Sequence, residues 1–148
     1  MKEIKFEIES RLENVPLIGM AVNRICADIF GSEREAFQIE LCVVEACTNA
    51  IKHAYRNEPG NRVEVVMSLY PDHLDLRIYD SGEEMDRKFL HPPEEDMEMR
   101  DFSEIPESGR GLMIINKIMD EVSYGKEGRR NVLFLRKKVE GQRSGDSA

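Results

Sequence analysis

The sequence has no tryptophan, and its 148 residues include only three cysteines, Cys26, Cys42 and Cys47. An odd number of cysteines, each set in an apolar helical stretch, excludes a complete disulfide framework, and the spacing fits no zinc motif. They read as buried free thiols of a chain kept in a reducing compartment. No apolar run reaches the roughly 20 residues that span a bilayer, and Met1-Lys2-Glu3-Ile4 does not open a signal peptide. A cytoplasmic protein without membrane contact is expected. Basic charge is not in excess: the net charge is −8, the wrong sign for sequence-independent binding of nucleic acid. A Walker-type lysine loop, a Ser/His/Asp order, a Cys/His metal set, an internal repeat and a dividing linker are missing as well. What is present, 41% hydrophobic and 34% charged residues, is the composition of one globular domain with a proper core. That domain is expected over 1–139, with a polar, disordered tail at 140–148.

The most unusual stretch runs from Glu40 to Tyr55. Leu41, Val44, Cys47, Ala50, Ile51 and Ala54 give it apolar residues on most sides of a helix. Glu45, Asn49 and His53 nevertheless recur every four residues and stack along one stripe. A carboxylate and a carboxamide on so apolar a helix need a partner, because burying a charge without one is costly.

Around this helix the other elements fall into order. Lys2 to Ile8 alternate as a first strand. Pro16 suits the first turn of a helix carrying Leu17, Ile18, Ala21, Val22, Ile25 and Ile29, which Gly31 ends. Ser32-Glu33-Arg34-Glu35 is a capping box for the central helix, and Asn57 to Asn61 is a turn. Strands are expected over Val63–Leu69 and Leu74–Ile78, joined at Pro71-Asp72-His73, with His73 facing solvent. Asp80 shares the register of Leu74, Leu76 and Ile78, so its carboxylate should point to the apolar side. Ser81 to about Glu107 has no periodicity and reads as a loop, functional or mobile. Ser108-Gly109-Arg110-Gly111 opens an amphipathic helix, followed by a short strand near Val122–Tyr124, a turn at Lys126–Arg130 and a strand over Asn131–Lys138. The order predicts an α+β two-layer sandwich, with helices on one face of a mixed, mainly antiparallel sheet and a second face that is polar or covered by a partner.

Glycines at a helix start let a backbone approach phosphates, and the helix N-terminus offers free N–H groups. An Asn oxygen suits Mg²⁺, a Glu can accept a proton, and an inward Asp can accept from an exocyclic amine. The three blocks Val44-Glu45-Ala46-Cys47-Thr48-Asn49-Ala50-Ile51-Lys52-His53-Ala54-Tyr55, Asp80-Ser81-Gly82-Glu83-Glu84-Met85-Asp86 and Gly109-Arg110-Gly111-Leu112-Met113-Ile114-Ile115, the last followed by Met119-Asp120-Glu121-Val122, resemble the GHKL (Bergerat-fold) ATPases. More narrowly, they resemble the anti-sigma factor serine/threonine kinases. The resemblance runs from about Lys2 to Lys138.

It implies ATP and Mg²⁺ as cofactors, Glu45 as general base and Asn49 as the Mg²⁺ ligand. Asp80 would read the adenine amine, Gly82 would make room for the base, and Gly109, Arg110 and Gly111 would form the second glycine box. That box, with the preceding loop, would make a lid over about 81–110. The implied partners are a STAS-domain anti-anti-sigma protein, which is phosphorylated, a sigma factor, which is sequestered, and a second copy in a homodimer. Glu84 stands where many GHKL proteins have a second glycine, and Glu107 where some relatives are basic. Arg110, Arg100, Arg87 and Lys88 remain the alternatives for neutralising phosphate. A non-catalytic binding module of the same fold is the competing expectation.

Overall fold

The computed structural model describes residues 1–87, 90 and 107–139, with backbone alone at 107 and 108. The interior of the expected lid and the 140–148 tail lie outside the described residues. The elements are β1 (Lys2–Glu9), a 3₁₀ turn (Leu12–Asn14), α1 (Val15–Phe30), α2 (Glu33–Asn49) running on into a π-helical turn (Ala50–Ala54), β2 (Arg62–Leu69), β3 (His73–Asp80), α3 (Glu107–Ile118), β4 (Glu121–Glu127) and β5 (Arg130–Lys138). Local chemistry explains the boundaries. Gly31 closes α1 in the left-handed region at φ 67°, its N–H bonded to Ala27 O at 3.0 Å, a conformation that costs glycine little. Ser32 Oγ then accepts the Glu35 amide at 3.1 Å to cap α2.

The five strands lie in the order β1-β2-β3-β5-β4, and every neighbouring pair is antiparallel. The sheet is therefore not mixed. β3, α3 and β4 make a crossover whose two strands run parallel, but β5 returns from β4 and slots between them. That return is a two-residue turn at Gly128-Arg129, with Gly128 at φ 65°, tighter than the five residues expected. β4 is correspondingly longer than the expected Val122–Tyr124, running from Glu121 to Glu127.

Val22, Cys26, Ile39, Val43, Cys47 and Ile51 of the helices pack on Val65, Met67, Leu76, Ile78 and Leu135 of the sheet as one buried cluster. Burial pushes the Cys26, Cys42 and Cys47 thiols up to about 12, so they stay protonated and unreactive. The sheet's other face is polar. Arg136 forks onto Asp75 at 2.7 and 2.9 Å. The Arg77 and Arg136 guanidiniums flank the Phe134 ring at 5.1 and 5.5 Å, and Arg130 lies 3.9 Å from the Tyr79 ring centre. His73 does not simply face solvent: it opens β3 and stacks on Tyr70 at 4.3 Å. Among the described residues no helix is long and apolar enough to cross a membrane.

Candidate functional site

Glu45 and Asn49, one turn apart on α2, meet the first turns of α3 at Gly111. A Cβ at 111 would stand 2.7 Å from Glu45 Oε2 and 3.1 Å from Asn49 Nδ2. Only a bare α-carbon lets α3 lie this close to both side chains. Gly109 is buried beside it, and Arg110 is half-buried. Asn49 Nδ2 is buried with no partner, so part of the carboxamide's hydrogen-bonding capacity is left uncommitted among the described residues.

Beyond Asn49 the helix widens. The Tyr55 amide bonds to Ala50 O at 3.0 Å and the Asn57 amide to Ile51 O at 2.8 Å, leaving Ala54 O to accept the Glu83 amide at 3.0 Å. Single π-turns of this kind recur at functional sites. Gly82 permits the approach, since a Cβ there would be 2.6 Å from the Ala54 carbonyl carbon. Tyr55 Oη donates to Arg62 O at 2.6 Å and accepts the Ser81 amide at 2.7 Å. Arg56 pairs with Glu83 at 2.7 Å. These contacts fix the loop that carries Asp80.

Asp80 is 9% exposed and points to the helix side, as its register requires. Its Oδ1 accepts the Gly82 amide at 3.0 Å and Asn131 Nδ2 at 2.8 Å. Oδ2 has no donor among the described residues. Burial raises the Asp80 pKa, opposed by those two hydrogen bonds and by the charge of Lys126. Asn131 was not singled out from the sequence, although a signal existed. It shares the inward register of Leu133 and Leu135, so a polar side chain there has the same anomaly as Asp80.

Asn49 and Asp80 lie in the wall of one open cleft of about 190 Å³. Ala46, Ala50, Ile78, Leu112 and Leu133 give it apolar walls; His53, Met85 and Tyr124 complete them. The Met85 amide donates to Tyr124 Oη at 2.9 Å. Glu83, Glu84 and Asp86 stand in the lining, which has no lysine or arginine among the described residues. Arg87 is turned to Tyr124, donating to its carbonyl at 3.0 Å with the guanidinium 5.3 Å from the ring centre. Lys88 and Arg100 lie outside the described residues. His53 lines the cleft but is exposed.

Residues 8–137 match the model of the histidine kinase-like ATPase domain, and the chain belongs to that family. Among curated proteins it is similar to the serine-protein kinase RsbW of Bacillus cereus (strain Q1), 25% identical over 136 residues, which are 91% of this chain and 84% of that protein. The RsbW of Bacillus mycoides (strain KBAB4) is 24% identical over the same shares. Among solved structures, a chain of the SiaB–SiaC complex from Pseudomonas aeruginosa matches with a TM-score of 0.65 at 15% identity, covering 92% of this chain and 89% of that one. A histidine kinase domain from Erythrobacter litoralis EL346 matches with a TM-score of 0.50 at 18% identity, covering 93% and 64%. These two likenesses show the fold.

A nucleotide with Mg²⁺, as the family implies, fits the residues present. An apolar slot with one buried carboxylate suits a flat base bearing an amine. Asn49 brings an uncommitted amide into the same cleft, and a carboxamide oxygen is a hard donor of the kind Mg²⁺ takes.

Proposed function

We propose that the cleft binds ATP with Mg²⁺, and that the chain is an anti-sigma factor and serine/threonine protein kinase. Its substrate would be a STAS-type anti-anti-sigma partner and its second partner a sigma factor, met as a homodimer in the cytoplasm. Residues 1–139 would form the ATPase domain and about 81–110 its lid. The observation that carries this reading is the joint placement of Asp80 and Asn49 in one apolar cleft, with Gly111 seated against Glu45 and Asn49. The serine-protein kinases to which the chain is similar along 91% of its length support the reaction class.

Asp80 Oδ2 accepts the exocyclic amine of adenine, and Gly82 keeps the turn behind it close to Ala54. Asn49 would hold Mg²⁺ through its side-chain oxygen. Glu45 takes the proton of the attacking serine or threonine hydroxyl. Gly109, Arg110 and Gly111 bring backbone and one guanidinium toward the phosphates. Mg–ATP supplies the transferable phosphoryl group and the charge that neutralises it, so the chain's own work is positioning.

Phosphate transfer from labelled ATP to a STAS-domain protein of the same genome tests this reading. Glu45→Gln should reduce transfer by roughly 10²–10⁴-fold and leave ATP binding intact. Unchanged transfer by that variant would refute the assignment of Glu45. One observation favours a second reading, a non-catalytic binding module: Asp80, Glu83, Glu84 and Asp86 all line the cleft, and among the described residues no lysine or arginine shares that lining. ATP binding without transfer to any such partner would select it.

A further inference from the structure

Asp80 and Asn131 are directly opposite one another across the β3–β5 pair, both turned inward. Asn131 is 1% exposed. Its NH₂ group donates to Asp80 Oδ1 at 2.8 Å and to Gly82 O at 3.0 Å, while its own Oδ1 is buried without a partner. Leaving a buried carbonyl oxygen unpaired is unfavourable. The opposite orientation would be worse, because it would set the amide oxygen against a carboxylate oxygen and the Gly82 carbonyl oxygen. The carboxamide is therefore held one way round, with its donor on Asp80.

The consequence falls on the Asp80 atom that is left. With Oδ1 occupied by Asn131 and the Gly82 amide, Asp80 has only Oδ2 to offer a ligand, and in the ionised form that these two donors favour it can only accept. A 6-aminopurine presents an N–H donor to such an oxygen. A 6-oxopurine presents a carbonyl oxygen, and two acceptors face to face repel. We infer that Asn131 is a positioning residue that determines purine specificity: by donating to Asp80 Oδ1 it fixes Asp80 as an acceptor toward the cleft and so selects 6-amino over 6-oxo nucleotides. The inference rests on the nucleotide-binding reading of the cleft. Asn131 does not itself line that cleft.

Titration calorimetry of the full chain with ATP and with ITP, each with Mg²⁺, tests it. The two ligands differ in the base's six-membered ring edge, an amine replaced by a carbonyl with a proton on N1. The wild type should bind ATP at least about tenfold tighter than ITP. Asn131→Leu removes the donor at similar volume, and the ATP-to-ITP ratio should fall at least about fivefold. Asn131→Asp puts two carboxyl groups at hydrogen-bond distance, where they share a proton; Asp80 is then no longer held as a fully charged acceptor toward the cleft, and the ratio should fall as well. The second variant also guards against misfolding of the first, which circular dichroism would reveal. Folded variants that weaken both nucleotides equally and keep the wild-type ratio would overturn the inference, since a residue that merely braces the Asp80 turn has that effect. Wild type that binds neither nucleotide would instead remove the reading on which it rests.

Discussion

The Glu83 amide donates to the Ala54 carbonyl at 3.0 Å, joining the loop after β3 to the end of the helix that carries Glu45 and Asn49. A helix terminus leaves carbonyls without intrahelical partners, and here one of them positions the candidate base-binding carboxylate. Asp80 and Asn49 are thus tied into one site although 31 positions separate them in the chain.

Gly82→Ala tests that junction. The new Cβ would lie 2.6 Å from the Ala54 carbonyl carbon, and backbone cannot step aside as a flexible side chain can. Overpacking of this kind costs roughly 1–3 kcal/mol, to be read from urea unfolding. Gly125→Ala is the control, because nothing lies within 4 Å of the Cβ it adds; its change should stay within about 0.5 kcal/mol.

Gly111→Ala sets two effects against each other. Alanine is the better helix residue by about 0.8–1.0 kcal/mol, but its Cβ would press on Glu45 Oε2 at 2.7 Å. A carboxylate on a rotatable stem can move, so global stability should change little. Glu45 and Asn49 would be displaced, and phosphate transfer should drop at least about tenfold. A stable variant with full activity would show that the closeness of α3 to Glu45 is incidental.

The motif residues were legible because each breaks a local rule. Glu45 and Asn49 interrupt an apolar helix, Asp80 sits in the register of Leu76 and Ile78, and Gly111 weakens an otherwise strong helix. Asn131 breaks the same rule as Asp80, but as the first inward position after a turn it passes for loop chemistry. The π-turn was not legible. Ala50-Ile51-Lys52-His53-Ala54 has ordinary α propensity, and what widens it is tertiary contact with Gly82 and Glu83 on a distant loop. The pairing of β5 between β3 and β4 was equally hidden, since alternation specifies a strand's faces and not its neighbours.

Tyr55→Phe removes one hydroxyl with two partners, Arg62 O at 2.6 Å and the Ser81 amide at 2.7 Å. The half-buried carbonyl loses its donor, and the loss should be about 1–3 kcal/mol with folding otherwise intact. Differential scanning calorimetry would register it as a lower Tm.

The pH dependence of the ligand-free protein follows from Asp80. Its folded pKa is raised, chiefly by burial, so the native state binds the proton more readily than the unfolded chain does. Stability from this group is then lost as pH rises from the unfolded value near about 3.9 through the folded value. Asp80→Asn keeps an oxygen for the Gly82 and Asn131 donors without the charge. It should be more stable than wild type at pH 7.5, and that advantage should vanish at pH 4, as urea unfolding at the two values would measure.

The most direct test of the central claim is titration of ATP, with and without Mg²⁺, into wild type, Asp80→Asn and Asn49→Ala. The account predicts saturable binding by wild type, loss of at least about tenfold in affinity for Asp80→Asn, which trades a charged acceptor for a neutral amide, and a Mg²⁺ enhancement that Asn49→Ala abolishes. Folded wild type that binds no ATP, or binds it equally well without the Asp80 carboxylate, would contradict it.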